Sequence, residues 1–188
     1  QHYRPALAWC ELILGTARPL TGMGQAEALS LLFDMNRLFE QVVEHALRQQ
    51  MPTSHQLKVQ ASHAHVLQHP QDDTMARALK PDLLYGIDGQ ACYVLDAKWK
   101  LLDRVDIGQV DKDDLHQMAM YAAAYLPQGG AVCLVYPQTQ GFDQSLCAWH
   151  FAHVSAGQVT VWLGPFCTVR LVLVDPPLAL QRQPMASK

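Results

Sequence analysis

The chain has 188 residues, 49% of them apolar and only 16% charged, which suits one globular domain with a sizeable core and excludes the disordered class. A net charge of −3 argues against a stand-alone nucleic-acid binder that grips through a basic surface, but not against an enzyme whose site is acidic by design. No apolar run approaches the roughly 20 residues of a membrane span, and no basic stretch followed by an apolar one opens the chain as a secretory signal would.

Five cysteines, Cys10, Cys92, Cys133, Cys147 and Cys167, are widely spaced, lie mostly in apolar runs and form no CxxC pair. The expectation is five buried, reduced thiols in a cytoplasmic protein, with no zinc ribbon and no disulfide framework. The chain starts at Gln1 rather than Met. It is expected to be one domain over residues 1–188, the C-terminal part of a longer protein.

In chain order, Pro5–Leu14 reads as a helix from the recurrence of Leu7, Ala8 and Leu12. Thr16–Gln25 reads as a loop. Ala26–Met51 is strongly helical, with Leu31, Leu32, Met35, Leu38, Phe39, Val42, Val43, Ala46 and Leu47 on one broad stripe, stopped by Pro52. Gln56–Val66 alternates loosely as a strand, and Gln71–Lys80 reads as a polar loop or short helix. Pro81–Ile87 and Gln90–Lys100 are two strands joined at Asp88–Gly89. A polar, acidic stretch follows, then a helix at Leu115–Leu126, ended by Pro127 and Gly129–Gly130. Ala131–Tyr136 is a buried-type strand, and Leu146–Val154, Gln158–Leu163 and Val169–Val174 are three more short ones. The tail after Pro176–Pro177 is expected to fray. This order predicts an α/β fold, a mixed central sheet flanked by helices.

The Gln90–Lys100 strand carries the chemistry. Side chains alternate along a strand, so Ala91, Tyr93, Leu95, Ala97 and Trp99 share one face and Cys92, Val94, Asp96, Lys98 and Lys100 the other. The second face turns sharply charged at its end. A two-residue Asp88–Gly89 turn would set Asp82 opposite Leu95, with Asp82 and Asp96 on opposite faces. A three-residue Ile87–Asp88–Gly89 loop pairs Gly86 with Gln90 and sets Asp82 opposite Val94, on the face of Asp96 and diagonal to it. The x-Asp-Gly sequence favours the latter. Two carboxylates on one face repel unless a cation lies between them, and hard oxygen donors suit Mg²⁺, with Mn²⁺ able to substitute. Lys98 projects to the same side, able to orient a water or neutralise developing charge. Gln117 and Tyr121, at i and i+4, share one face of the later helix.

Pro81–Asp82 followed by Asp96–Ala97–Lys98 resembles the PD-(D/E)xK nuclease superfamily, whose fold is restriction-endonuclease-like. The resemblance implies a metal-dependent endodeoxyribonuclease in which Asp82 and Asp96 hold Mg²⁺, the carbonyl of Ala97 lies near the ion and Lys98 assists the attacking water. Gln117-x-x-x-Tyr121 after the catalytic strand is similar to the RecB-like branch, where the pair supports the lysine or contacts substrate. With the Tyr3–Leu14 opening, Phe33–Glu40 resembles the nuclease region of McrC, the cleavage subunit of McrBC-type restriction systems. Glu40 is then the match for a glutamate on the first core helix that often completes the metal site. The resemblance further implies DNA containing methylated cytosine as substrate and an AAA+ GTPase partner, McrB-like. No GxxxxGK[ST] loop occurs in the chain, so GTP hydrolysis falls to that partner. Cutting both strands generally takes two active sites, so dimerisation during cleavage is expected.

Blander readings stand beside these. Asp82 reads equally as a strand-end residue and Asp96–Lys98 as a surface ion pair of small value. Glu40 reads as a solvated helix residue, Gln117 and Tyr121 as helix surface and core edge, and Lys100 as either a phosphate contact or a solvated lysine. His63 and His65 alternate on a strand without a partner pair at ligand spacing, so they read as structural. Two other functional classes remain: a non-catalytic nuclease-fold module that binds DNA or regulates a motor, and a repair nuclease of the same superfamily.

Overall fold

The computed structural model describes residues 34–153 and 158–174. The chain divides between Asp34 and Met35, and every described element lies on the C-terminal side. The helix expected at Pro5–Leu14, the loop at Thr16–Gln25, the first residues of the helix expected from Ala26, the tail and Cys10 lie outside the described residues.

Helix α1 spans Met35–Gln50, and Pro52 follows where its missing N–H and fixed φ end helices. It is buried through Phe39, Val43, Ala46 and Leu47, one stripe at helical spacing. Leu38 stays exposed, so the stripe is narrower than the sequence suggests. Strand β1 is His55–Val59, β2 Ala64–Gln68 and β3 Met75–Leu79. The polar segment from Gln71 is therefore partly a strand, not a loop or helix. It pairs antiparallel with β2 in a separate two-stranded ribbon, and pairing rather than local propensity decides it.

Strands β4 (Leu83–Ile87) and β5 (Gln90–Ala97) form the expected hairpin. A 3₁₀ turn at Ile107–Gln109 precedes helix α2, Lys112–Tyr125. Strands β6 (Gly130–Pro137), β7 (Leu146–His150), β8 (Val159–Cys167) and β9 (Val172–Leu173) complete the chain. The main sheet runs β1-β4-β5-β6-β8-β7, with β9 also on β8. Pairs β5–β6 and β6–β8 are parallel and the others antiparallel. The sheet is mixed, as expected.

Each sheet face is covered by one helix. Helix α1 packs Phe39, Val43 and Leu47 onto Leu83, Tyr85, Leu95, Val135 and Trp162. Helix α2 packs Met118, Tyr121, Ala122 and Tyr125 onto Leu84, Val94, Val132, Leu134 and Leu163. Strands sandwiched this way read as continuous apolar runs, which is why β6 (GAVCLVYP) is buried along nearly its whole length. No described helix is long and apolar enough to cross a membrane.

Two expectations need correction. The turn between β4 and β5 has two residues, not three: Ile87 pairs with Gln90. Asp88 (φ 50) and Gly89 (φ 82) both take left-handed backbone, as a type I′ turn demands. The register then shifts between Tyr85 and Gly86, because Tyr85 faces Tyr93 while Gly86 faces Ala91 and Cys92 is left over on β5. This bulge moves Ala91 onto the α2 face with Val94, while Tyr93, Leu95 and Ala97 face α1. Among the four described cysteines, all free, only Cys133 is fully buried, and Cys147 is exposed. A cysteine on a short, edge-side strand such as β7 need not face the core.

Candidate active site

The site forms where β4 begins and β5 ends. Beyond the bulge, Leu83 pairs with Leu95. One residue further, Asp82 comes level with Asp96, both on the α2 side of the sheet. The two carboxylates are opposite each other rather than diagonal. The two-residue turn alone would have put them on opposite faces; the extra residue at Cys92 restores the shared face. The Ala97 N–H donates to Asp82 Oδ2 at 2.8 Å, and the backbone carbonyl of Asp82 accepts from the Gln60 N–H at 3.0 Å.

Asp96 is 3% exposed and is the buried charged residue among the described ones. A carboxylate so placed demands a partner. Lys98 supplies it: Nζ lies 2.7 Å from Asp96 Oδ2. The same ammonium is 3.0 Å from Asp114 Oδ1 and donates to Gln117 Oε1 at 3.1 Å. Gln117 Nε2 donates to the Tyr121 hydroxyl at 2.9 Å, and that hydroxyl donates to the Lys80 carbonyl at 2.9 Å. The expected Gln117/Tyr121 pair is therefore in place, on the helix face turned toward Lys98. The Tyr136 hydroxyl is buried without a hydrogen-bond partner among the described residues.

Electrostatics mark the spot. Burial, then the facing Asp96 and Glu40 carboxylates, push Asp82 up to about 7, against the opposing pull of the Ala97 N–H and Lys98. Burial also raises Asp96, although Lys98 counteracts it. Burial pulls Lys98 down, but Asp96 and Asp114 outweigh it and hold the ammonium firmly protonated. Burial, then Asp96, lifts Tyr121 to about 12, so its hydroxyl remains a donor at neutral pH.

Glu40, from α1, lines the same cavity of about 290 Å³ as Asn36, Lys80, Asp82, Asp96, Ala97, Lys98 and Gln117. Its Oε1 accepts from Gln60 Nε2 at 3.3 Å. Among the described residues no three His, Cys, Asp or Glu side chains converge closely enough to form a metal cluster by themselves. The donors that fit a divalent ion are the Asp82–Asp96 pair, with Glu40 and the Ala97 carbonyl at the same cavity. All are hard oxygens, and Asp96 beside Asp82 favours a cation there. Lys100 lies apart: it pairs with exposed Asp111 at 2.7 Å. Asp111, at the N-cap of α2, makes no side-chain cap bond. His63 packs edge-on against Tyr125 and belongs to no ligand set.

Sequence reasoning missed Asp114 and Gln60. Asp114 lies three residues before Gln117 and so on the same helix face, a spacing that Asp113, four before it, matches equally well. Gln60 carries no comparable signal; it is recruited by the end of β1.

The family described as McrBC 5-methylcytosine restriction system component matches residues 1–137. The chain belongs to that family. The McrC resemblance read from the sequence is thus borne out at family level. No curated protein matches. Among solved structures, one similar chain comes from a complex described as a refined half-complex from the tetradecameric assembly of Thermococcus gammatolerans McrB AAA+ hexamers with bound McrC. It is 17% identical with a TM-score of 0.50, over 80% of this chain and 32% of that one. At that identity the likeness speaks for the fold. This McrBC-family chain spans about a third of the length of the chain it matches.

Proposed function

We propose that this McrBC-family chain is the nuclease part of an McrC-type cleavage subunit, hydrolysing DNA phosphodiester bonds with Mg²⁺ or Mn²⁺. The observation that carries the reading is the meeting of Asp82 and Asp96 at the hairpin end, with Lys98 on the same side two residues on. Asp82 and Asp96 would hold the ion, helped by Glu40 and the Ala97 carbonyl. A divalent ion bound there supplies Lewis-acid polarisation of the scissile phosphate and eases deprotonation of water.

The protein's own groups do the rest. Lys98 is held protonated, so it serves as a cation, orienting the attacking water and offsetting charge on the phosphate, rather than as a base. Gln117 takes one Lys98 proton donor and is itself fixed by Tyr121, whose hydroxyl is anchored on the Lys80 carbonyl. That chain of bonds limits where the ammonium can go. Lys80 lines the same cavity and would meet the phosphate backbone.

Membership of the McrBC family supports a reading of the substrate and partner. The reading assigns DNA bearing methylated cytosine, an McrB-like AAA+ GTPase partner, two copies acting in double-strand cleavage, and a cytoplasmic setting. The test is reconstitution with such a GTPase on methylated and unmethylated plasmid. GTP-dependent cutting confined to methylated plasmid is expected. Cutting indifferent to GTP and methylation would favour a repair nuclease of the same superfamily. One observation favours a regulatory module instead: the Lys98–Asp96 ion pair fills a ligand position on a chain of net charge −3. Failure to bind Mn²⁺ would make that the better reading.

A further inference from the structure

The Lys98 ammonium contacts two carboxylates and one amide oxygen, at 2.7 Å on Asp96, 3.0 Å on Asp114 and 3.1 Å on Gln117. Asp96 Oδ2 is thus occupied by a cation belonging to the chain itself. A divalent ion arriving at Asp82 and Asp96 must compete with it. Moving a half-buried ammonium off its only anion would leave an unpaired buried charge, which is strongly unfavourable. Here a second anion already touches it. Asp114 is only 19% exposed in its side chain, so the contact is not a fully screened surface pair. It stands in the first turn of α2, where the helix dipole favours a carboxylate and holds it in place. Gln117, one turn on, accepts from the same ammonium and is locked by Tyr121.

We infer that Asp114 is a positioning residue: it retains the Lys98 ammonium when a divalent ion takes Asp96, so that the metal displaces the lysine without stranding its charge. This rests on the proposed metal site. Asp114 touches neither ion nor substrate in this role. It acts through Lys98, and without Lys98 it has nothing to retain.

A double-mutant cycle on the full chain, read by calorimetric titration with Mn²⁺, tests this. Asp114→Asn is expected to weaken Mn²⁺ binding about tenfold, whereas Asp114→Glu stays within about threefold of wild type. In a Lys98→Met background, Asp114→Asn is expected to cost less than about twofold, because the competing ammonium is gone. Thermal unfolding of each variant reports whether it is folded. An equal loss in both backgrounds would overturn the inference, since Asp114 would then act by through-space charge alone. No loss in the Lys98 background would overturn it too. A folded wild type that binds no Mn²⁺ would remove the metal site itself, and the inference with it.

Discussion

The Asp82 carboxylate is bound by the backbone of the residue next to Asp96: the Ala97 N–H donates to Asp82 Oδ2 at 2.8 Å. The end of β5 therefore steers one acid toward the other. The two facing carboxylates, both removed from water, are an arrangement that a folded protein retains against its own electrostatics.

A pH dependence follows. In the folded metal-free protein Asp82 is raised from 3.8 to about 7 by burial and by Asp96 and Glu40. Between those values the folded state binds more protons than the unfolded state, so stability falls as pH rises through that window and levels off above it. Asp96 is shifted in the same direction. Melting temperature in EDTA is expected to drop by several degrees from about pH 5 to about pH 7.5. Asp82→Asn should flatten that slope. Mn²⁺ should restore stability most at the upper end, where the acids are ionised.

Gly130 guards the register of the site. Its φ is 142°, and a Cβ there would come 2.3 Å from the Cys92 carbonyl oxygen, on the bulged residue that brings Asp82 level with Asp96. Gly130→Ala is expected to cost about 2–4 kcal/mol in denaturant unfolding, against roughly zero for an exposed substitution.

Tyr121 carries a link rather than a charge. Its hydroxyl accepts from Gln117 and donates to the Lys80 carbonyl, two bonds that Tyr121→Phe removes. Stability should fall by about 1–2 kcal/mol. Cleavage should fall roughly tenfold, in kcat rather than KM, because the Lys98 ammonium loses its brace. An unchanged kcat would separate Gln117 and Tyr121 from the chemistry.

Much of this was legible in the sequence, and the reasons differ by residue. Asp96 and Lys98 are two apart on a strong strand, so their shared side follows from the pleat alone. The α1 stripe at Phe39, Val43, Ala46 and Leu47 follows from helical period, and the end of α2 follows from Pro127; its start, expected at Leu115, lies at Lys112, with Asp113 and Asp114 inside its first turn. The pairing of Asp82 with Asp96 was reached through the wrong turn. Asp88 adopts left-handed backbone as Gly89 does, and the compensating bulge at Cys92, which lies close against Gly130 of β6, is encoded by no local pattern. Strand β3 was missed because its residues are mostly exposed and pair only with β2. Asp114 was hidden among Asp111, Asp113 and Asp114, where only the position of Lys98 across the gap singles one out.

The most direct measurement is nicking of supercoiled plasmid with Mn²⁺ or Mg²⁺, wild type beside Asp96→Ala, with the McrB-like GTPase present and with EDTA as control. Cutting that needs the metal, and that falls by at least about a hundredfold in a folded Asp96→Ala protein, is the predicted result. Metal-dependent cutting of equal rate by wild type and folded Asp96→Ala would contradict the assignment of Asp82, Asp96 and Lys98 as the active site.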